Sequence, residues 1–335
     1  METIKRAAIV GCGGIAQVHK KVLMAMPNVK LVACVDIKPD RAQKMADETG
    51  AKPYTDITEM LENEQIDVVH ICTPHPLHTP LAKIAAAHGV NVFTEKPPVV
   101  NQEQWKEFEA LKDSGVRVGI CFQNRYNAST RRLIEILHSQ EAGKVKGARA
   151  FVTWHRDHQY YQGSDWRGFW TTEGGGELIN QSIHTLDLLV YLLGKPESVE
   201  AHMCNHSLKG IIEVEDTVEA YIGFESGVHA LYYATNAHCM DAPVIVEIVC
   251  ENVRLFMEQN DLTVYWNDGR VEHPQLEQAE ALGKGYWGNG HAACIADFYS
   301  KLDTDERYQN DIDSVRNTMA LMIKMYDPYR GKTVE

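Results

Sequence analysis

A glycine-rich turn, Gly11-Cys12-Gly13-Gly14, follows the apolar run Ala7-Ala8-Ile9-Val10 and opens a helical pattern at Ile15. A turn this tight between a buried strand and a helix commits the chain to a strand–turn–helix start, because glycine tolerates backbone bends that other residues resist. The first third keeps the same rhythm. Apolar strand candidates at 7–10, 31–36, 68–72, 91–94 and 116–122 alternate with helical stretches near 15–26, 41–49, 77–88 and 102–114. Strands that are apolar throughout are covered on both faces, so the pattern predicts a parallel sheet between helices.

The character changes near Gln123-Asn124-Arg125-Tyr126, which divides the chain into residues 1–123 and 124–335. After a helix near 129–138 come longer strands at 145–155, 198–206, 218–224, 229–235, 244–249 and 262–266. Turns such as Glu225-Ser226-Gly227 and Asn267-Asp268-Gly269 separate some of them. An antiparallel meander is expected, with a helix near 178–193 and closing helices near 292–302 and 314–326, giving an α+β second domain. A length of 335 residues suits two cores.

The net charge of −13 argues against a general nucleic-acid or anionic-membrane binder. No apolar run approaches the roughly 18 residues of a membrane helix, and the start, Met1-Glu2-Thr3-Ile4-Lys5-Arg6, lacks the apolar core of a signal peptide. The eight cysteines are scattered, with no C-x-x-C pair, as buried free thiols would be. A cytoplasmic setting without structural zinc is expected.

Gly11-Cys12-Gly13-Gly14-Ile15-Ala16 fits G-x-G-x-x-A, the turn that brings backbone close to a dinucleotide pyrophosphate at a helix N-terminus. Asp36 ends the next strand, twenty residues after Ala16. A carboxylate there accepts from an adenosine ribose and repels a 2′-phosphate, favouring NAD over NADP. Ile37 and Arg41 flank it, and Lys38 with Arg41 can soften that preference. Thr73 and Pro74 end a later strand, with His75 and His78 just beyond, where the cofactor is expected to run. Pro76 within His75-Pro76-Leu77-His78 argues against a helical metal pair, and no third ligand is evident.

Three segments together resemble the Gfo/Idh/MocA oxidoreductase family, typified by glucose–fructose oxidoreductase and inositol dehydrogenases. They are the glycine turn, Glu95-Lys96-Pro97 after an apolar strand, and Gly174-Gly175-Gly176 through His184 and Asp187. The likeness extends to Trp287-Gly288-Asn289-Gly290-His291 and the Tyr-rich tail before Gly331-Lys332. It implies an α/β chain: an N-terminal Rossmann domain, then a C-terminal α+β domain with a large, mostly antiparallel open sheet. The sheet commonly forms subunit interfaces, so a homodimer or homotetramer is expected. The active site is expected in the cleft between domains, with Lys96 beside the nicotinamide, His184 as acid/base and a cis peptide before Pro97. Glu95, Gln123, Trp166 and Arg167 join the expected cofactor contacts.

Removing hydride from a secondary alcohol also requires removing a proton, a task that histidine performs near neutrality. On a helix, Asn180, His184 and Asp187 share a face. Lys96 at a strand end can hydrogen-bond the hydroxyl oxygen and stabilise alkoxide character. Many family members carry aspartate where this chain has Asn180. An amide cannot take a proton, so His184 with Lys96 carries the chemistry and Asn180 binds substrate. Asp187 either orients the imidazole or satisfies the helix interior. The loop His155-Arg156-Asp157-His158-Gln159-Tyr160-Tyr161 suits a sugar ring, and Arg125, Tyr160, Tyr286 and His291 are further substrate candidates.

These features predict an NAD-dependent oxidoreductase acting on a secondary hydroxyl, at ring C3, of a pyranose sugar, glycoside or sugar derivative. Alternatives are an inositol dehydrogenase, a glycosidase using transient C3 oxidation by NAD, and a non-catalytic sugar sensor.

Overall fold

The computed structural model of the chain describes residues 4–277 and 289–335. Tyr286 and the Trp287-Gly288 pair lie outside the described residues. The chain divides into two compact units, Met1–Phe122 with His291–Val315, and Gln123–Gly290 with Arg316–Glu335. Helix α9 (His291–Lys301), which the sequence pattern groups with the second domain, thus belongs to the first unit.

The first unit is built on strands β1 (Lys5–Val10), β2 (Val29–Val35), β3 (Lys52–Tyr54), β4 (Val68–Ile71), β5 (Asn91–Thr94) and β6 (Val118–Ile120). They lie in the order β3-β2-β1-β4-β5-β6 with every pairing parallel. Strand order reverses between β1 and β4, and ligands of such sheets sit beyond the strand ends at that point. Helices α1 (Ala16–Ala25), α2 (Pro39–Thr49), α3 (Ile57–Asn63), α4 (His78–Ala87) and α5 (Gln102–Glu109) supply the crossovers. Side chains mark their ends: Asp56 accepts from Glu59 N–H to cap α3, and Asn101 accepts from Gln104 N–H to cap α5. Strand β3 and helix α3 were not in the sequence pattern. Lys-Pro-Tyr is short and contains proline, which a sheet admits at its edge.

The second unit is an eight-stranded sheet in the order β14-β13-β12-β11-β7-β10-β9-β8. The strands are β7 (Val145–Thr153), β8 (Pro196–Cys204), β9 (Thr217–Phe224), β10 (His229–Thr235), β11 (Ile245–Cys250), β12 (Val253–Glu258), β13 (Asp261–Trp266) and β14 (Val271–Glu272). The expected single meander is instead two, β8-β9-β10 and β11 to β14, joined by β7. That strand pairs antiparallel to β11 and parallel to β10. Strand β12 is hidden in the sequence because only Glu251-Asn252, with neither glycine nor proline, turns the chain before it. Alternate burial along β10 and β12 leaves one covered face, and helix α8 (Ile183–Leu193) packs on β7. Helices α6 (Ala128–Leu137), α7 (His158–Gln162) and α10 (Ile312–Tyr326) complete the set. Among the described residues no helix is long and apolar enough to cross a membrane, and all eight cysteines are free.

Candidate active site

Strand β1 delivers the chain into Gly11 at φ +89°. A Cβ there would lie 2.7 Å from the Cys72 carbonyl oxygen, so another residue would have to push β4 away. A Cβ on Gly13 or Gly14 would meet nothing within 4 Å. The turn therefore presents a bare backbone shelf just before α1, preceded by Ile15 and packed by the buried Ala16. Asp36, buried after β2, accepts from Cys12 N–H through Oδ2 at 2.8 Å and from Lys38 N–H through Oδ1 at 2.9 Å. Ile37 and Arg41 lie exposed beside it. Beyond β4 the Thr73 hydroxyl oxygen is buried and has no hydrogen-bond partner among the described residues. A glycine shelf, a helix N-terminus, a carboxylate tied to the turn and an orphaned hydroxyl meet where strand order reverses. That set fits NAD, whose pyrophosphate and ribose require such groups.

Strand β5 leads into the E-K-P turn, where the Lys96–Pro97 peptide is cis, as the resemblance implies. Helix α4 fastens it. The His78 ring bridges the carbonyl oxygens of Pro97 and Thr73 at 2.7 and 2.8 Å, and Thr79 Oγ1 donates to Pro98 O at 2.9 Å. His75, after Pro74, is buried in a short 3₁₀ turn. Glu95 is buried; its Oε1 lies 2.9 Å from His19 Nε2, and its Oε2 accepts from Lys96 N–H at 3.3 Å. Burial pushes the Glu95 carboxyl up, but the hydrogen bond with His19, helped by the Lys96 charge, outweighs it and holds the group well below its usual range. His291 is buried at the start of α9, and burial pushes its imidazole down to about 4.

In the second unit, Glu215 closes the start of the histidine-bearing helix. Its carboxylate accepts from Gly176 and Leu178 N–H groups and from Tyr326 OH at 2.6 Å, while Tyr326 Oη accepts from Ile179 N–H at 3.1 Å. These bonds fill N–H groups that a helix start otherwise leaves unmet. A Cβ on Gly176 would overlap the Glu215 carbonyl oxygen at 2.0 Å, which gives the glycine run its structural reason. The first turn, Leu178–Ser182, is π-helical before α8 begins. Such turns are frequent at functional sites.

From Glu173 to Val190 every residue is buried except Asn180 and His184. Gln123 Nε2 lies 3.3 Å from His184 Nε2. The Asn180 amide donates to Glu173, which also accepts from Gly168 N–H. Asp187 accepts from Arg125 Nε and Nη2 at 2.7 and 2.5 Å and from Thr318 Oγ1 at 2.8 Å. The buried Arg125 guanidinium also lies 4.5 Å from the Tyr191 ring centroid. Tyr160 OH accepts from Gln181 at 3.0 Å, and the Arg167 guanidinium lies over the Tyr160 and Trp166 rings at 4.5 and 4.9 Å. The predicted residues thus fall in two sets: Gly11 to Lys96 with His291 in the first unit, Gln123 to Asp187 in the second.

Residues 5–122 match the model of an oxidoreductase family with NAD-binding Rossmann fold, GFO/IDH/MocA, and residues 130–256 match the GFO/IDH/MocA C-terminal domain. The chain belongs to the GFO/IDH/MocA family. D-glucoside 3-dehydrogenase of Escherichia coli (strain K12) is 32% identical over 59% of this chain and 57% of its own length. The scyllo-inositol 2-dehydrogenase (NAD(+)) of Bacillus subtilis (strain 168) is 32% identical over 68% of this chain and 66% of its own. The matches therefore span less than two thirds of either relative. The WlbA dehydrogenase from Bordetella pertussis, solved with NADH and UDP-GlcNAcA, superposes with a TM-score of 0.85 at 26% identity, covering 98% of this chain and 97% of that one.

In this family member, sequence reasoning missed Glu173, Glu215 and Tyr326, which shape the helix start, and His19, which holds Glu95. Burial pushes the Glu173 carboxyl up to about 8 and the Glu215 carboxyl up to about 7. A raised carboxyl keeps its proton in the folded state where the unfolded chain has lost it. The stability it contributes is complete below the ordinary value of 4.5 and is lost as pH rises through about 8 for Glu173. Thermal unfolding followed across that window is expected to show Tm falling with pH, and Glu173→Gln, neutral throughout, to flatten the fall. An equally steep fall in the variant would show that Glu173 does not titrate there.

Proposed function

We propose that the chain is an NAD-dependent dehydrogenase acting on a secondary hydroxyl, at ring C3, of a pyranose sugar, glycoside or sugar derivative. The observation that carries the reading is the pair Asn180 and His184, the two partly exposed residues of an otherwise buried stretch, one turn apart on the helix. His184 takes the hydroxyl proton as base. Asn180, its amine held by Glu173, offers Oδ1 as an acceptor for a neighbouring sugar hydroxyl. Lys96 hydrogen-bonds the reacting oxygen and stabilises alkoxide character. NAD, when bound on the glycine shelf, supplies the hydride acceptor. Ile37, Arg41, Thr73, Pro74, His75, His78, Gln123, Trp166 and Arg167 line or support the cofactor, and Tyr160 and His291 contact substrate. Arg125, its guanidinium held by Asp187, acts by fixing the helix beneath His184.

The C3 position draws support from the D-glucoside 3-dehydrogenase match. The scyllo-inositol 2-dehydrogenase match, over a longer stretch at equal identity, favours inositol oxidation as the second reading. Glycosides, nucleotide-sugars and inositols are to be screened with NAD, with the ketone located by NMR. NADH formation with a C3 ketone is expected; no NADH from any of them overturns the reading. A free sugar without net NADH would point to glycoside cleavage. The proposal includes a cytoplasmic homodimer or homotetramer, for which the family resemblance and, for the compartment, the free thiols are the support.

Asp36→Ala tests the cofactor contact. Losing a charge-assisted hydrogen bond to ribose is expected to weaken NAD binding about 10- to 100-fold and to narrow the gap to NADP. Calorimetric titration with each cofactor reads this directly. An unchanged preference removes Asp36 from cofactor choice.

A further inference from the structure

Beneath the E-K-P turn, wholly within the first unit, Tyr299, His70, His19 and Glu95 form a single file. Tyr299 Oη on α9 lies 2.9 Å from His70 Nε2 on β4. His70 Nδ1 lies 2.9 Å from His19 Nδ1 on α1, and His19 Nε2 lies 2.9 Å from Glu95 Oε1. Both imidazoles are fully buried. Phe93 packs against them, with ring centroids 5.7 Å from His19 and 5.1 Å from His70, and the Tyr299 ring stacks on His70 at 5.8 Å.

The contact between two like nitrogens is the informative one. One Nδ1 has to carry a proton and the other must not. A neutral imidazole with a proton on one nitrogen offers a lone pair on the other, so the choice propagates along the file. Beside an ionised Glu95, a neutral His19 donates from Nε2 and accepts at Nδ1. His70 then donates from Nδ1 and accepts at Nε2 from the Tyr299 hydroxyl. Every polar atom of the file is satisfied, and with neutral rings no other arrangement satisfies them all. Strand β4 reads Val68-Val69-His70-Ile71. A buried imidazole in such a strand destabilises unless fully bonded, and the file supplies those bonds.

We propose that His19 and His70, anchored by Tyr299, are positioning residues for the E-K-P turn: a two-histidine file that fixes the Glu95 carboxylate and, through it, the peptide bearing Lys96. The geometry carries the link. Glu95 Oε1 meets the file while Oε2 accepts the Lys96 N–H, so a carboxylate held at one oxygen orients the peptide at the other. Burial holds the His70 imidazole well below its usual range, in keeping with a neutral ring.

His19, Glu95 and Cys121 also bring one ligand-type atom each within 4.8 Å of one another. A metal there would take the His19 Nε2 lone pair, which the file uses as a donor, so the two uses exclude each other. Burial pushes the Cys121 thiol well up, against metal ligation.

The test uses the full chain. Imidazole ¹⁵N NMR without NAD or sugar is expected to show His19 as the Nε2–H tautomer and His70 as Nδ1–H, both neutral. A reversed His70, a cationic His19 or averaging tautomers overturns the proposal, as does stoichiometric binding of added zinc that shifts His19 Nε2. His70→Asn keeps a donor near Nδ1, whereas His70→Val removes it. His70→Val is expected to lower kcat about tenfold, as misplacement of a catalytic group does, with NAD affinity and KM little changed, and His70→Asn to restore most of it. Equal behaviour of the two, or unchanged kcat, overturns the positioning role. Should His70→Val not fold, Tyr299→Phe carries the comparison: the His70 tautomer is expected to lose its fixed state and kcat to fall. The kinetic arm rests on the proposed dehydrogenase reading; the NMR arm reads the apo protein, so failure of one is distinguishable from failure of the other.

Discussion

His184→Ala is expected to lower kcat about 10³-fold on whichever sugar or polyol the wild type oxidises, the scale of a lost general base. KM and NAD affinity are expected to change little, because the glycine shelf and Asp36 belong to the other unit and hold their geometry through Cys12. The acidic limb of the pH–rate profile is expected to vanish with the imidazole. His184→Gln separates base from spacer. It can still hydrogen-bond Gln123, but it accepts no proton, so a base role makes it as slow as His184→Ala. Full activity with an unaltered acidic limb would remove His184 from the mechanism. Asn180 cannot take over, since its amide accepts no proton and its amine is committed to Glu173.

What the sequence made legible divides by range. The strand–helix rhythm of the first unit is local, written in apolar runs of a few residues, and the parallel sheet follows from it. Pairing is not local. Nothing in the run 145–155 says that β7 will lie between β10 and β11, more than 75 residues on, and run parallel to one of them. The same holds for the site. Gly11, Asp36, Glu95-Lys96-Pro97 and His184 stand out because their motifs are contiguous or regularly spaced. Their supports do not. Glu215 caps a helix start 37 residues earlier in the chain, and Tyr326 reaches it from 111 residues away. One such support did leave a mark: His70 interrupts an apolar strand, and a polar group there needs a buried partner. Asp187 shows the limit most plainly. Sequence left it either orienting the imidazole or satisfying the helix interior, and the structure gives its oxygens to Arg125 and Thr318.

That pairing makes Asp187→Ala the substitution with the largest expected effect on stability. Both partners are buried, with side-chain exposures of 0% and 1%. Removing the carboxylate leaves a desolvated guanidinium without its buried counter-charge, and breaking such a pair from one side destabilises by about 3–5 kcal/mol. Urea unfolding of the variant is expected to show that loss at unchanged m. Removing both charges is a different case. In Arg125→Met with Asp187→Leu no buried charge is left unpaired, and recovery of most of the loss is expected, since apolar replacement of a buried pair is often near neutral. Asp187→Asn distinguishes the remaining readings. If Asp187 acts by anchoring the helix, the amide still accepts from Thr318, stability falls moderately and kcat falls little. If the carboxylate instead orients the imidazole, Asp187→Asn lowers kcat steeply while stability is nearly kept. The bidentate bond to Arg125, 62 residues away in sequence, favours the first outcome, in which the charge on this helix face serves the fold.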